Sequence, residues 1–155
     1  MKIVAIIQAR MGSTRLENKV MKPINSRPMI ELLLMRLAKS RLLHQIIVAT
    51  SKDKRNLPLI NHVESLGFTC EQGSENDVLE RYLQVAENNQ ADVIVRITGD
   101  CPLVDPVLVD KCIEKFMQLD VDYCSNINPP TYPDGLDIEV IKLSALKKAS
   151  ENTTT

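Results

Sequence analysis

Basic and hydroxyl side chains are concentrated in one short loop near the N-terminus of the sequence. Arg10, Arg15 and Lys19 surround the turn Gly12–Thr14. Glycine lets the backbone come close to an anion, hydroxyl groups donate hydrogen bonds, and cations neutralise phosphate oxygens. Because each charge-assisted hydrogen bond contributes about 1.5–3 kcal/mol, a handful would supply most of a micromolar affinity, about 8 kcal/mol. The loop therefore predicts a site for the phosphates of a nucleotide.

Neither of two common phosphate-binding patterns occurs in this loop. It does not read G-x-x-x-x-G-K-[ST], and it does not read G-x-G-x-x-G. Their absence argues against a P-loop NTPase and against a dinucleotide-dependent oxidoreductase. Because arginine and lysine are common in surface loops, a solvated basic loop that binds nothing remains the alternative.

Carboxylates lie in two later segments of the chain, one directly after a predicted strand and one within a predicted strand. Asp100 lies between Gly99, which frees the backbone, and Pro102, which stiffens the exit, so its carboxylate is presented at a fixed place. Magnesium takes one or two carboxylates together with substrate phosphates, although an aspartate that caps the following turn is the alternative. Asp137 and Glu139 lie two residues apart on a predicted strand and share a face. That face would approach a sugar or a metal, or would be the solvent face of an edge strand.

The elements that must position these residues alternate between strands and helices. Apolar runs rich in β-branched residues predict strands over Lys2–Gln8, Gln45–Thr50, Phe68–Glu71, Asp92–Ile97, Val121–Cys124 and Leu136–Ile141. Helices are predicted from Pro28, Pro58 and Pro106, from near Ser144, and after a cap at Asn76 or Asp77. This order predicts an α/β fold, doubly wound around a mainly parallel sheet, in which ligands bind beyond the carboxyl ends of the strands.

Two more segments lie where such a fold would contact a base or a ribose. Thr50 and Ser51 end the second predicted strand, while Gly73 and Ser74 open a helix and would approach the base through backbone amides. Arg81, in that helix, would point at the nucleotide or pair with acidic neighbours on the surface. Asp105 precedes Pro106 and is predicted to cap the next helix.

Composition excludes several classes of function. The chain has 155 residues with 44% hydrophobic and 25% charged residues, the balance of one globular domain. A net charge of −1, 3% aromatic residues and no tryptophan argue against nucleic-acid binding. Because no stretch approaches the roughly 20 apolar residues of a membrane span, we predict a cytoplasmic protein that does not contact a membrane. The four cysteines form no C-x-x-C pair and are predicted to be reduced thiols.

Four separated motifs in this sequence resemble one protein family. The run A-R-x-G-S-T-R-L-x-N-K at residues 9–19 closely resembles the signature of the cytidylyltransferases that make CMP-activated sugar acids. The resemblance is nearest to the spore-coat polysaccharide biosynthesis branch, and it extends through GSENDVLERY (Gly73–Tyr82), VRITGDCPLVDP (Val95–Pro106) and PDGLDIEV (Pro133–Val140). It implies a Rossmann-like nucleotide-diphospho-sugar transferase fold. It also implies transfer of CMP from CTP to a sugar or sugar acid, with release of pyrophosphate, for surface polysaccharide biosynthesis.

The motifs and the resemblance together assign roles to individual residues. The nucleotide-binding candidates are Ala9, Arg10, Gly12, Ser13, Arg15, Lys19, Thr50, Ser51, Gly73 and Ser74. The catalytic candidates are Arg10, Arg15, Lys19, Asp100 and Asp137, and Asp100 matches the metal-binding aspartate of the family, which implies Mg²⁺. One departure is Glu17, where relatives usually carry proline. It changes the stiffness of the loop and is expected to weaken phosphate binding somewhat.

The end of the sequence bears on activity. The family carries a second metal-binding aspartate in a C-terminal V-D-x-x-x-D-like stretch, which this sequence does not contain. We therefore expect residues 1–155 to be a single nucleotidyltransferase domain that lacks its C-terminal part. If these residues are the whole polypeptide, activity should be low or lost, and the portion that builds the family's homodimer is absent.

Two other functions stay open at this level. A nucleotide-sugar-dependent glycosyltransferase predicts a D-x-D motif, but the sequence reads Gly99-Asp100-Cys101 at that position. A non-catalytic nucleotide-binding fragment predicts stabilisation by CTP without release of pyrophosphate. The acceptor also stays open among sialic-acid-like, legionaminic-type and deoxy-octulosonate-type sugars.

Overall fold

Strands and helices alternate along the chain in the computed structural model, which describes residues 1–153. The strands are β1 (Ile3–Gln8), β2 (Pro23–Ile24), β3 (Arg27–Pro28), β4 (Gln45–Ser51), β5 (Thr69–Gly73), β6 (Val93–Thr98), β7 (Tyr123–Ser125) and β8 (Glu139–Lys142). The helices are α1 (Met29–Leu37), α2 (Leu57–Ser65), α3 (Val78–Asn88), α4 (Pro106–Leu119) and α5 (Leu143–Asn152). None of these helices combines the length and the apolar character that crossing a bilayer requires.

Six of the strands form one sheet in the order β5-β4-β1-β6-β8-β7. β1 lies between β4 and β6 and is parallel to both, and β5 is parallel to β4. β8 runs antiparallel to β6, and β7 runs antiparallel to β8. The prediction of a mainly parallel sheet is therefore confirmed, with an antiparallel pair at one edge.

Helices cover both faces of the sheet, so the doubly wound prediction is also confirmed. Side chains of α1, α2 and α4 pack on one face with Ala5 and Ile7 of β1. Side chains of α3 and α5 pack on the other face with Val4 and Ile6. Successive residues of a strand point to opposite faces, and a strand that is covered on both sides is apolar at nearly every position. This explains why β1 reads as an unbroken apolar run.

The predicted helix caps are present. The carboxylate of Asp77, rather than the side chain of Asn76, accepts a 2.8 Å hydrogen bond from the backbone N–H of Glu80 at the start of α3. Asp105 accepts hydrogen bonds from two backbone N–H groups of α4, at 2.8 and 3.2 Å. Gly67 ends α2 with a φ of +84°, a conformation that glycine adopts without steric cost.

The strand predicted over Leu136–Ile141 begins later, at Glu139. Upstream of it, the buried side chain of Asn126 takes the place of a strand partner. Its amide donates to the carbonyl of Leu136 at 2.8 Å and its carbonyl accepts from the N–H of Ile138, also at 2.8 Å. Asp137 therefore lies before β8, and the prediction that Asp137 and Glu139 share one strand is wrong.

The loop between β1 and α1 contains more regular structure than its composition indicates. Residues Lys19–Met21 form a 3₁₀ turn, and β2 and β3 form a short antiparallel hairpin. Val20 in the turn is buried and belongs to the core that α1 also contacts. Because Val20 is fixed in that core, the neighbouring Lys19 has a defined position.

Candidate functional site

The sheet has a topological switch point between β1 and β6. After β1 the chain adds β4 and then β5 on one side, and it later returns to add β6 on the other side of β1. In open α/β sheets, ligands bind in the crevice at the carboxyl ends of the strands at such a point. A pocket of about 310 Å³ lies there, lined by Gln8, Ala9, Arg10, Ser13, Thr14, Arg15, Lys19, Val20, Thr98, Gly99 and Asp100.

This pocket brings together the basic loop and the central carboxylate. Six of the residues singled out in the sequence line it, namely Ala9, Arg10, Ser13, Arg15, Lys19 and Asp100. Gln8 and Thr98, which are opposite each other in register at the ends of β1 and β6, also line the pocket but were not predicted as site residues. Both residues could have been predicted from the sequence, because the last residues of two neighbouring parallel strands lie at the same edge of the sheet.

Lys19 and Asp100 are bonded to each other across the pocket. The distance between Lys19 Nζ and Asp100 Oδ2 is 2.8 Å. The hydrogen bond from Lys19 lowers the pKa of the Asp100 carboxyl below its usual value, although partial burial opposes the change. Asp100 is therefore ionised near neutral pH, and the two catalytic candidates act on each other.

The turn that carries Lys19 is fixed by backbone contacts. Asn18 has a φ of 55°, a left-handed conformation that asparagine tolerates better than most residues. Its N–H donates to the carbonyl of Met11 at 3.2 Å, and its own carbonyl accepts from Met21 at 2.9 Å. The loop thus folds back on itself and points Lys19 toward the end of β6.

Gly99 allows the phosphate loop to start directly against the end of β6. Its N–H donates to the carbonyl of Gln8 at 2.8 Å. A Cβ at this position would lie 2.8 Å from both that oxygen and the Cβ of Ala9. Glycine is required here because the ends of β1 and β6 approach each other so closely. The same close approach brings the phosphate loop near Asp100.

Gly12 lies beside this pocket rather than in its lining. A Cβ there would be 3.4 Å from the nearest atom, Nη2 of Arg55. Arg55 is an exposed cation that was not among the predicted site residues, and its guanidinium is bonded to Asp53 at 2.5 and 2.7 Å. Among the described residues, no neighbouring backbone atom lies close enough to require glycine at position 12. The remaining reason for glycine there is that it leaves space for an anion.

The candidates for base and ribose contact lie outside the lining of the pocket. The side chains of Thr50 and Ser51 are buried at the end of β4, at 1% exposure each, so neither presents a surface to a ligand. Gly73 is buried as well, and a Cβ there would lie 2.8 Å from the side chain of Arg81. Ser74 is half-buried and accepts a hydrogen bond from Arg81 through its carbonyl.

Arg81 is buried and is not paired with a carboxylate on the surface. It is 3% exposed, its Nε has no partner among the described residues, and its guanidinium donates to the carbonyl of Ser74. Burial lowers the pKa of this guanidinium. Arg81 therefore supports the Gly73-Ser74 segment from behind, and the alternative of a surface ion pair is wrong.

The two acidic residues around β8 have different surroundings. The charge of Asp137 contributes to the pKa of Cys101, the residue after Asp100. Burial raises the pKa of the Cys101 thiol, and the negative charges of Asp100, Asp137 and Asp134 raise it further. Asp137 does not line the pocket. Glu139 instead bonds to Arg96 of β6 and accepts from the hydroxyl of Tyr123 at 2.7 Å.

These contacts give Glu139 a structural role. We expect Glu139→Gln to lower the free energy of unfolding by about 1–2 kcal/mol, because Arg96 loses an ionised hydrogen-bond partner. Affinity for nucleotides should stay unchanged. Urea denaturation together with calorimetric titration of CTP measures both quantities.

Tyr123→Phe is the matched control, since it removes the hydroxyl bond to Glu139, leaves the bond between Glu139 and Arg96, and should cost about 0.5–1.5 kcal/mol. A large loss of CTP affinity in Glu139→Gln, at unchanged stability, would contradict the structural role.

The residues in the pocket fit a magnesium ion that is shared with a ligand. Among residues 1–153, no three His, Cys, Asp or Glu side chains converge into a site made by protein alone. Asp100 offers an ionised, half-exposed carboxylate beside the cations of the loop. Magnesium is commonly held by one or two carboxylates plus substrate phosphates and water. Asp100 has the chemistry and the position for that role.

The chain resembles known proteins over nearly its whole length. A family model described as "Cytidylyltransferase" matches residues 4–154. An uncharacterized protein of Methanocaldococcus jannaschii is 45% identical over 152 residues, covering 98% of this chain and 61% of the relative. Spore coat polysaccharide biosynthesis protein SpsF of Bacillus subtilis is 37% identical over 148 residues, covering 93% of this chain and 60% of that protein. The chain thus spans about three fifths of the length of these two relatives.

Solved structures extend the comparison to the fold. A cytidylyltransferase from Leptospira borgpetersenii superposes with a TM-score of 0.95 at 34% identity, covering 100% of this chain and 66% of that one. CMP:2-keto-3-deoxy-manno-octonic acid synthetase, solved in complex with CTP, has a TM-score of 0.80 at 18% identity. That alignment covers 100% of this chain and 80% of the synthetase. The nucleotide-diphospho-sugar transferase-like fold that the motifs implied is therefore confirmed.

Proposed function

The chain belongs to the cytidylyltransferase family, and on this premise we propose that it transfers CMP from CTP to a sugar or sugar acid and releases pyrophosphate. The observation that carries the proposal is the pocket at the switch point, whose lining combines three cations, Arg10, Arg15 and Lys19, with the ionised Asp100. Such a pocket suits a triphosphate and a metal ion better than a neutral ligand. The names of two relatives support a carbohydrate acceptor and a part in polysaccharide biosynthesis, and a cytoplasmic location is part of the same proposal.

The reaction needs positioning and charge neutralisation rather than a covalent intermediate. A hydroxyl oxygen of the acceptor attacks the α-phosphorus in line, the bond from that phosphorus to the β-phosphate oxygen breaks, and the hydroxyl proton leaves to solvent. Arg10 and Arg15 are exposed in the pocket and would stabilise the negative charge on the departing pyrophosphate. Ser13 would donate its hydroxyl hydrogen to a phosphate oxygen.

Asp100 and Lys19 would exchange their mutual bond for bonds to the substrate. Asp100 would hold Mg²⁺, which neutralises charge on phosphate oxygens when it is bound. Lys19, released from the carboxylate, would donate to a phosphate instead. Because their bond is half-exposed, it stabilises the free protein little, so breaking it costs little. Asp137, which does not line the pocket, is proposed to orient the acceptor.

The proposal is tested by pyrophosphate release from each of the four nucleoside triphosphates, with magnesium and a panel of 2-keto sugar acids. We expect release with CTP and with no other nucleotide. Thermal stabilisation by CTP is measured in parallel, because it reports binding even where turnover is slow. A protein that releases no pyrophosphate and gains no thermal stability from CTP would contradict the proposal. Stabilisation without release would favour a non-catalytic nucleotide-binding role.

Lys19 should contribute measurably to the affinity for CTP. We expect Lys19→Met to raise the dissociation constant of CTP by about 10- to 100-fold, because one charge-assisted hydrogen bond to a phosphate is lost. Isothermal titration calorimetry at fixed magnesium concentration measures the change.

The matched control is Lys22→Met. Lys22 is an exposed lysine three residues farther along the same loop, and it does not line the pocket. Equal losses of affinity in the two variants would show that only the net charge of the loop matters, against a specific role for Lys19.

A further inference from the structure

Asn56 is a buried polar side chain that joins two loops beside the nucleotide pocket. It is 1% exposed and ends the 3₁₀ turn Lys54–Asn56, which follows β4. Nothing in the sequence marked it, because it is 45 positions away from its main partner, Met11. A buried polar group without partners is costly, so its bonds indicate what it holds in place.

Both polar atoms of the Asn56 side-chain amide form hydrogen bonds. Oδ1 accepts from the backbone N–H of Met11 at 2.9 Å. Nδ2 donates to the hydroxyl of Ser51 at 2.8 Å and to the carbonyl of the same residue at 3.1 Å. The side chain therefore ties the first loop to the end of β4, and both ends of this connection are buried.

Met11 is in turn hydrogen-bonded to residues in and next to the lining of the pocket. Its carbonyl accepts from the N–H of Ser13 at 2.9 Å and from the N–H of Asn18 at 3.2 Å. Ser13 lines the pocket, and Asn18 directly precedes Lys19. One short network of hydrogen bonds thus runs from the end of β4 through Asn56 and Met11 to the groups that face the ligand.

We infer that Asn56 is a positioning residue that fixes Met11 and thereby holds the phosphate-binding loop in its binding conformation. The inference rests on the proposed function, since it concerns the same pocket. Without the Asn56 carbonyl, the N–H of the buried Met11 has no acceptor and the loop must move to reach water. The loop would then have to be ordered again each time a nucleotide binds, which weakens affinity.

The test compares Asn56→Ala with the unchanged protein. The dissociation constant of CTP with magnesium is measured by calorimetry, and the amide hydrogen exchange of residues 11–13 is measured without nucleotide. We expect the dissociation constant to rise by about tenfold or more, the equivalent of one lost hydrogen bond whose partner is left buried. We expect the Met11 amide to exchange much faster than amides of β1.

Two further variants separate positioning from general destabilisation. Asn89→Ala is the matched control, because Asn89 joins Glu71 and the carbonyl of Val85 at 2.5 and 2.8 Å, at the C-terminal end of α3. It should keep the affinity for CTP and the slow exchange of Met11. Asn56→Asp keeps an acceptor for Met11 and loses the donor to Ser51, so it should keep Met11 protected even though its added charge disfavours phosphates.

The outcomes are distinguishable. Unchanged CTP affinity in a folded Asn56→Ala protein would overturn the inference alone. If Asn56→Ala does not fold, rapid Met11 exchange in folded Asn56→Asp would overturn it, because the acceptor is retained there. Failure of the unchanged protein to bind CTP would remove the proposed function and the inference with it.

Discussion

Replacement of Asp100 by asparagine is expected to lower the rate of pyrophosphate release from CTP by roughly 100- to 1,000-fold, as for the loss of one main electrostatic contact in an active site. Asparagine keeps the size of the side chain and removes its charge. In the folded protein, Asp100 lies at the end of β6, is ionised, and faces the cations of the loop. A neutral amide is a much weaker ligand for magnesium. Steady-state kinetics with saturating CTP measures the loss.

Stability is expected to change little in this variant. The bond between Asp100 and Lys19 joins side chains that are 43% and 28% exposed, and such pairs contribute about 1 kcal/mol or less. The effect should therefore appear in the rate and not in the fraction of folded protein.

Asp105→Asn is the matched control for this prediction. Asp105 is a nearby carboxylate that caps α4 through two backbone N–H groups, and asparagine caps helices about as well as aspartate. We expect this variant to retain its activity within about twofold. An Asp100→Asn protein that turns over as fast as the Asp105→Asn protein would exclude a metal-holding role for Asp100.

Replacement of Gly99 by alanine is expected to lower the free energy of unfolding by about 1–3 kcal/mol, the usual cost of overpacking. The added methyl group would lie 2.8 Å from the Cβ of Ala9 and from the carbonyl oxygen of Gln8. Backbone cannot move away as a flexible side chain can, so β1 and β6 must separate at their carboxyl ends. Thermal or urea denaturation measures this loss, and CTP affinity should fall with it.

Gly12→Ala is the matched control, because its methyl group would meet only the movable end of Arg55, at 3.4 Å. We expect its stability to stay within about 0.5 kcal/mol of the unchanged protein, while its CTP affinity falls because the added group occupies space beside the phosphate loop. If Gly12→Ala destabilises the fold as much as Gly99→Ala, the close approach at Gly99 is not the reason for the glycine there.

Much of the architecture could be predicted because it depends on local patterns. A strand buried on both faces must be apolar throughout, so β1 was recognisable from the composition of one segment. Caps such as Asp105 act on N–H groups two and three residues away, and they are equally local. The motifs also identified the family, and the rule for ligand sites in α/β sheets placed the basic loop and Asp100 at one edge.

Other features depend on contacts between distant segments. The pairing of Lys19 with Asp100 spans 81 positions, and it exists only because β1 and β6 are neighbours in the sheet. The start of β8 was misplaced because the side chain of Asn126 satisfies the backbone of residues 136–138, which no periodicity reveals. Thr50 was named as a nucleotide-binding candidate from its place at the end of a strand, and its burial there is set by packing that the sequence does not show.

The sequence by itself determined which chemistry the protein carries, since the charged loop, the aspartate after β6 and the family motifs are all readable from consecutive residues. Only the tertiary structure decided which of these groups meet and what holds them there. The order β4-β1-β6 brings residues that are far apart in the chain within hydrogen-bonding distance. The 2.9 Å bond between Asn56 and Met11 is one result of that order. Hydrogen bonds act over about 3 Å, so they depend on where the folded backbone places each residue and not on its neighbours in the sequence.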